Sequence, residues 1–184
     1  MMHKGNARQE ILSAAKQIFS DKGYARATTK EISNAAGVAE ITVFRQFETK
    51  ANLFYETILN YLINPMLNQE ALNKHGNGRE VILNIMEERI NTLQNNRALF
   101  MTVINEAQYN DEVKNMLKKI YSKVSNVIIL SLESEYKGSK TIEVENVARV
   151  LLSTIVGGII LELVSPDKEL GDSYKLIEIV SSII

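Results

Sequence analysis

Residues 28–50 read TTKEISNAAGVAEITVFRQFETK. Thr28 followed by Glu31 is a Thr-x-x-Glu capping box, in which each side chain satisfies a free backbone N–H of the other at a helix start. It opens a short second helix expected to carry Ile32, Ala35 and Ala36 inward. Gly37 stops that helix, since the left-handed conformation that ends helices costs glycine little. Val43, Phe44 and Phe47 then mark a third helix from Glu40 to about Phe47, and Thr49 caps a fourth. Two short helices joined through Ala36, Gly37 and Val38, with small residues where the axes approach, have the form of a DNA-binding helix-turn-helix. An ordinary αα-corner has the same pattern, so spacing alone leaves both readings open.

Outward from this stretch the chain reads as helix throughout. Upstream, Ile11, Ala14, Ala15, Ile18 and Phe19 follow the helical spacing of one apolar stripe, predicting a first helix from about Ala7 to Lys22 that ends at Gly23. Downstream, the fourth helix continues through Leu53, Phe54, Ile58, Tyr61 and Leu62 until Asn64 and Pro65 bend or end it. Asn68 to Gly78 is polar and is the best candidate for a long connection. Further helices are expected at about Arg79 to Gln94, Arg97 to Glu106, Asp111 to Tyr136, Ile142 to Leu163 and Asp172 to Ile184. With only two prolines and nine glycines in 184 residues, there are too few turns for a sandwich or barrel. The expected fold is all-α: an N-terminal three-helix domain, residues 1–50, followed by a larger helical domain, residues 51–184.

Composition closes off several chemistries. The chain has no cysteine and two histidines, His3 and His75, so disulfides, thiolate zinc sites and a cysteine nucleophile are excluded and no metal site or cofactor is expected. Neither histidine follows a glutamate by three, as a carboxylate-bridged di-iron bundle requires, and the phosphate-loop and nucleophile-elbow motifs are absent. The expectation is that the protein is not an enzyme. The most apolar uncharged run, Val150 to Leu161, is 12 residues, short of the ~20 that span a bilayer. No apolar stretch follows the first charges as in a secretory signal, so a cytoplasmic location is expected. Charge is asymmetric: residues 1–50 hold eight basic and five acidic groups, net +3, and residues 51–184 hold 13 and 17, net −4. A basic head on an acidic body suits a protein that offers one face to a polyanion.

From about Arg8 to Phe54 the sequence resembles the N-terminal DNA-binding domain of the TetR family of transcriptional repressors. The resemblance rests on ILSAAKQIFSDKGYARATTKEISNAAGV, then Phe44 and Phe47, then Thr49, Lys50, Leu53 and Phe54. It implies a DNA-binding regulator, probing a palindromic operator as a homodimer and released by a small apolar or amphipathic ligand. By that resemblance Thr29 and Lys50, each at a helix start, touch phosphate, while Glu40, Thr42 and Arg45 read bases and Lys30 adds a contact from the second helix. The chemistry agrees: free helix N–H groups and lysine suit an anion, and arginine pairs with guanine O6 and N7. The sequence departs from the family at three places. Phe44 replaces a usual Tyr and loses a phenol-to-phosphate bond; Ala39 replaces a capping Ser or Thr; and Ile41 stands where a small residue is common, so either the approach to the groove differs or Ile41 meets a thymine methyl.

The same resemblance places ligand binding and dimerisation in the second domain. Tyr61, Met86, Phe100, Met101, Ile104, Met116, Ile120 and Tyr121 fall on helices that surround a cavity in the family, and such side chains suit an adaptable apolar pocket. Dimerisation also has support from the pattern itself. On the helix from Ile142, one stripe is Val147, Leu151, Ile155 and Gly158, and another is Val150, Gly157, Leu161 and Val164, more apolar surface than one-sided packing needs. Tyr174, Ile177, Val180 and Ile184 add a stripe on the last helix. The expected partners are double-stranded operator DNA, a second copy of the chain and an unidentified small-molecule inducer, with no membrane.

Overall fold

The computed structural model describes residues 7–65, 78–135 and 141–164, together with Lys175 and Ile179. Among them are eight α-helices and no strand: α1 Ala7–Arg26, α2 Thr29–Ala35, α3 Glu40–Phe47, α4 Lys50–Ile58, α5 Gly78–Asn95, α6 Arg97–Tyr109, α7 Asp111–Glu135 and α8 Thr141–Val164. The all-α expectation holds. The expected last helix, with Tyr174, Ile177, Val180 and Ile184, and most of the long connection lie outside the described residues.

Local chemistry accounts for the N-terminal helices. Gly23 takes φ 77° and ψ 167°, which breaks α1 where the sequence put its end, although one further helical turn carries on to Arg26. The capping box forms: the Glu31 backbone N–H donates to Thr28 Oγ1 at 3.2 Å, and the Thr28 N–H donates to Glu31 Oε2 at 3.2 Å. Gly37 sits at φ 66° and turns the chain into α3, whose N-cap Ala39 makes no side-chain bond. The inward side of α2 differs from expectation. Ala35 is exposed, and Ser33 is buried instead, its Oγ donating to the Lys30 carbonyl at 2.9 Å. That bond lets a small polar residue occupy a core position.

After α4 the helix widens into one π turn, Leu59–Ile63, closed by the Asn64 N–H donating to the Leu59 carbonyl at 2.7 Å. Such turns are rare and often stand at functional positions. The sequence reading extended an ordinary helix here, because one inserted residue leaves the apolar periodicity nearly intact.

The chain forms two compact units. The first holds the described residues up to Asn64 together with Asn96–Lys119. Its core is Ile11, Ala15, Phe19, Ile32, Phe47, Leu53, Phe54 and Leu99, with the Phe19 and Phe54 rings edge to face at 4.8 Å and Tyr24 tilted against Phe54 at 4.9 Å. The second unit holds the described parts of Pro65–Asn95 and Ile120–Ile184, where α5 packs on α8; Met86, Ile90 and Leu93 are buried on α5, and Ala148, Leu151, Ile155 and Ile159 on α8. Packing and motif therefore divide the chain differently: helix α4, α6 and the start of α7 pack with the residues before position 50.

Candidate nucleic-acid interface

Helix α3 is held by two residues and open on the rest. Val43 and Phe47 are fully buried, while Ile41 is 73% exposed, Phe44 42% exposed, and Arg45 exposed beside them. Residues 41, 44 and 45 fall on one face by their spacing of three and four. Apolar side chains this exposed on a short helix are costly in water unless a partner covers them. Arg45 is exposed, and its guanidinium carries five donors that suit a planar acceptor. Lys30 is exposed on α2 and Thr42 half-buried on α3.

Thr29 and Glu40 are bonded to each other. The Thr29 hydroxyl donates to Glu40 Oε1 at 2.7 Å, tying the start of α2 to the start of α3. Glu40 also lies in the first turn of α3, where a carboxylate favours the helix dipole and compensates for the uncapped Ala39. The pair fixes the angle between the two helices.

Lys50, expected at phosphate, has its ammonium bonded within the chain. Its Nζ donates to the carbonyls of Tyr24 at 3.0 Å, Ala27 at 3.2 Å and Ala25 at 3.4 Å, and lies 4.5 Å from the centre of the Tyr24 ring. Three donors meet three acceptors. The ammonium thereby closes the open end of α1 and fastens it to the start of α4.

A further member was not found from sequence. The Arg8 guanidinium stacks 4.5 Å over the Phe47 ring, pairs with Glu56 at 3.0 Å and donates to the Gln46 carbonyl at 3.4 Å. It joins α1, the end of α3 and α4. Its partners are 38 and 48 residues away, so no local spacing marks it.

The C-terminal part of α1 gathers groups from elsewhere in the first unit. The Ala25 N–H donates to Glu106 Oε1 at 3.1 Å, the Tyr24 hydroxyl to Glu112 Oε2 at 3.4 Å, and Thr102 Oγ1 to the Phe19 carbonyl at 3.2 Å. Burial raises the Tyr24 phenol above its ordinary range, and the Glu112 charge raises it further. Glu31 moves the other way, held below the usual carboxylate range by its bond from Lys22 and then by Thr28.

Beside α4 lies an open groove of about 570 Å³ lined by Thr49, Asn52, Tyr55, Glu112, Asn115 and Lys119, among others. Of the eight residues expected at a ligand pocket, Met116 lines this groove. Met86, Phe100 and Ile120 are buried core residues, and Tyr61, Met101 and Ile104 are half-buried, Tyr61 beneath the Lys16 ammonium at 4.7 Å. Tyr121 is 49% exposed, which sets it on the surface.

On α8 the structure reverses the two stripes. Leu151, Ile155 and Gly158, expected at a dimer contact, are buried inside the chain itself, with Val147 half-buried. The exposed apolar face carries Val150 and Leu161 of the other stripe, with the half-buried Gly157 between them and Ile160 beside them. Packing of α5 against α8 selects the inner one.

A short α2 and α3 joined by a glycine turn, with an exposed mixed apolar and cationic face on α3, define a helix-turn-helix protein. Residues 11–57 match the family described as bacterial regulatory proteins, tetR family. Over 45 residues the chain is 49% identical to the uncharacterised HTH-type transcriptional regulator YvkB of Bacillus subtilis, a stretch that is 24% of each chain. The chain thus spans about a quarter of the length of the curated relative it matches. The solved structure of the fatty acid degradation regulator FadR of Bacillus halodurans superposes with a TM-score of 0.75 over 99% of this chain and 96% of that one, at 20% identity. FadR of Bacillus subtilis in complex with stearoyl-CoA gives 0.72 over 96% and 98%, at 17% identity. Residues 11–57 are thus similar to the tetR family, and the described residues have the fold of these solved structures.

Proposed function

We propose that the protein is a sequence-specific DNA-binding transcriptional regulator, a repressor released from a palindromic operator by a small amphipathic ligand. The observation that carries it is the open face of α3. Ile41, Phe44 and Arg45 stand clear of a helix anchored by Val43 and Phe47, as a helix entering a major groove must be. In this reading Arg45 pairs with guanine, Ile41 and Phe44 meet thymine methyls or sugar, and Lys30, Thr42 and the Thr29–Glu40 pair flank them. Lys50 and Arg8 hold the helices in place. The palindrome follows from a two-fold dimer, for which the exposed α8 stripe supplies the self-complementary apolar surface. No described helix is long and apolar enough to cross a membrane, in keeping with action on cytoplasmic DNA.

Selection of bound duplexes from a random pool tests this directly. Enrichment of a palindrome, bound with a steep salt dependence, supports the proposal. Recovery of no preferred sequence would point instead to a helical interaction protein.

A further inference from the structure

We propose that DNA contact extends beyond the three-helix motif to the start of α7, where Lys114 and Lys119 bind the phosphate backbone of duplex flanking the sequence that α3 reads. This rests on the DNA-binding reading above. Residues 113–132 carry Lys114, Lys118, Lys119 and Lys123 and no acidic residue, within a body whose net charge is −4. All four lysines are exposed. Lys119 and Lys123 are one helical turn apart, and like charges at that spacing destabilise a helix. Nor does the dipole favour Lys114, which stands in the first turn of α7, where a cation is disfavoured. A polyanion docked along the face removes both penalties.

Position supports DNA as that polyanion. Lys119 and Asn115 line the same groove as Thr49 and Asn52, within the unit that contains α3. The opposite wall is the beginning of α4, and Asn52 Nδ2 donates to the carbonyl of Phe47, the last residue of α3, at 3.0 Å. The groove therefore starts beside the end of the reading helix. Glu112, the one acid on its wall, has a carboxylate oxygen that accepts from the Tyr24 hydroxyl. A backbone leaving α3 along this groove meets amide and ammonium groups.

The test compares the full-length protein with Lys114→Gln/Lys119→Gln on two duplexes: the selected operator alone, and the same operator extended by about ten base pairs on each side. The expected result on the extended duplex is a salt slope lower by about two per protomer, since each neutralised phosphate contributes about 0.9. On the short duplex the two proteins should bind alike, and Lys114→Arg/Lys119→Arg should restore the wild-type slope. Equal slopes for wild type and the glutamine variant on the extended duplex would overturn the proposal and assign the face to solvent or an acidic protein segment. Failure of the wild type to bind either duplex would strike the DNA-binding reading itself, a separate outcome.

Discussion

At the scale of single residues, the interface divides into groups that face outward and groups spent on holding helices. Arg45 faces outward, so Arg45→Ala should cost ~1–3 kcal/mol mainly at the base pair it reads, with little change in stability. Binding measured on the operator and on single-position variants checks this; equal loss on specific and random duplexes would make Arg45 a phosphate contact. Lys50 is the opposite case. With three carbonyls on its ammonium, Lys50→Ala should lower the unfolding free energy by about 1–3 kcal/mol and leave the salt slope of DNA binding nearly unchanged. A fall of about one in the slope would restore it to the phosphate contacts. Tyr24 makes a pH prediction. Its phenol is raised by burial and Glu112, so above the ordinary value of about 10 the folded chain keeps a proton that the unfolded chain has released. The stabilisation is complete below pH 10 and is lost as pH rises through the folded value. A phenolate titration of wild type minus Tyr24→Phe should show a midpoint above 10, and a midpoint at or below 10 would refute the shift.

At the scale of elements, legibility followed the range of the interaction. The starts of α2 and α4 were readable because a cap is decided within four residues, as Thr28 with Glu31 and Thr49 with Asn52 show. The inner side of α2 was not, because a seven-residue helix has barely two turns and Ser33 could be buried through a bond to Lys30 that hydrophobicity does not register. The fate of Lys50 depended on a turn 23 to 26 residues earlier in the chain, and that of Arg8 on residues still further away. On α8 both stripes satisfy the helical period, so the sequence shows two apolar faces without showing which one α5 covers. That choice is now testable. Leu161→Lys and Val150→Asp, on the exposed face, should yield folded monomers in sedimentation where the wild type sediments near twice 20.7 kDa. Leu151→Asp, inside the chain, should unfold the second unit. If the surface variants remained dimeric, the interface would lie elsewhere.

At the scale of the whole molecule, the proposed regulation requires that ligand and DNA favour different states of the same dimer. Two copies of α3 must meet successive major-groove faces ~34 Å apart, so a ligand that favours any other separation weakens DNA binding. Helix α7 contributes Asp111–Lys119 to the first unit and the residues from Ile120 to the second. Arg89 is fully buried on α5, and burial lowers its pKa to about 10 while the Glu88 charge opposes the shift. For the amphipathic ligand proposed above, stearate, stearoyl-CoA and stearyl alcohol are the probes. Reciprocity then fixes the rest: if a probe weakens operator binding tenfold, its own affinity for the operator complex must be tenfold lower than for the free dimer, a coupling of about 1.4 kcal/mol. Titration of each probe against both forms reads this number directly. Equal affinity for the two forms excludes that probe as an inducer however tightly it binds, and tighter binding to the operator complex would make it a co-repressor.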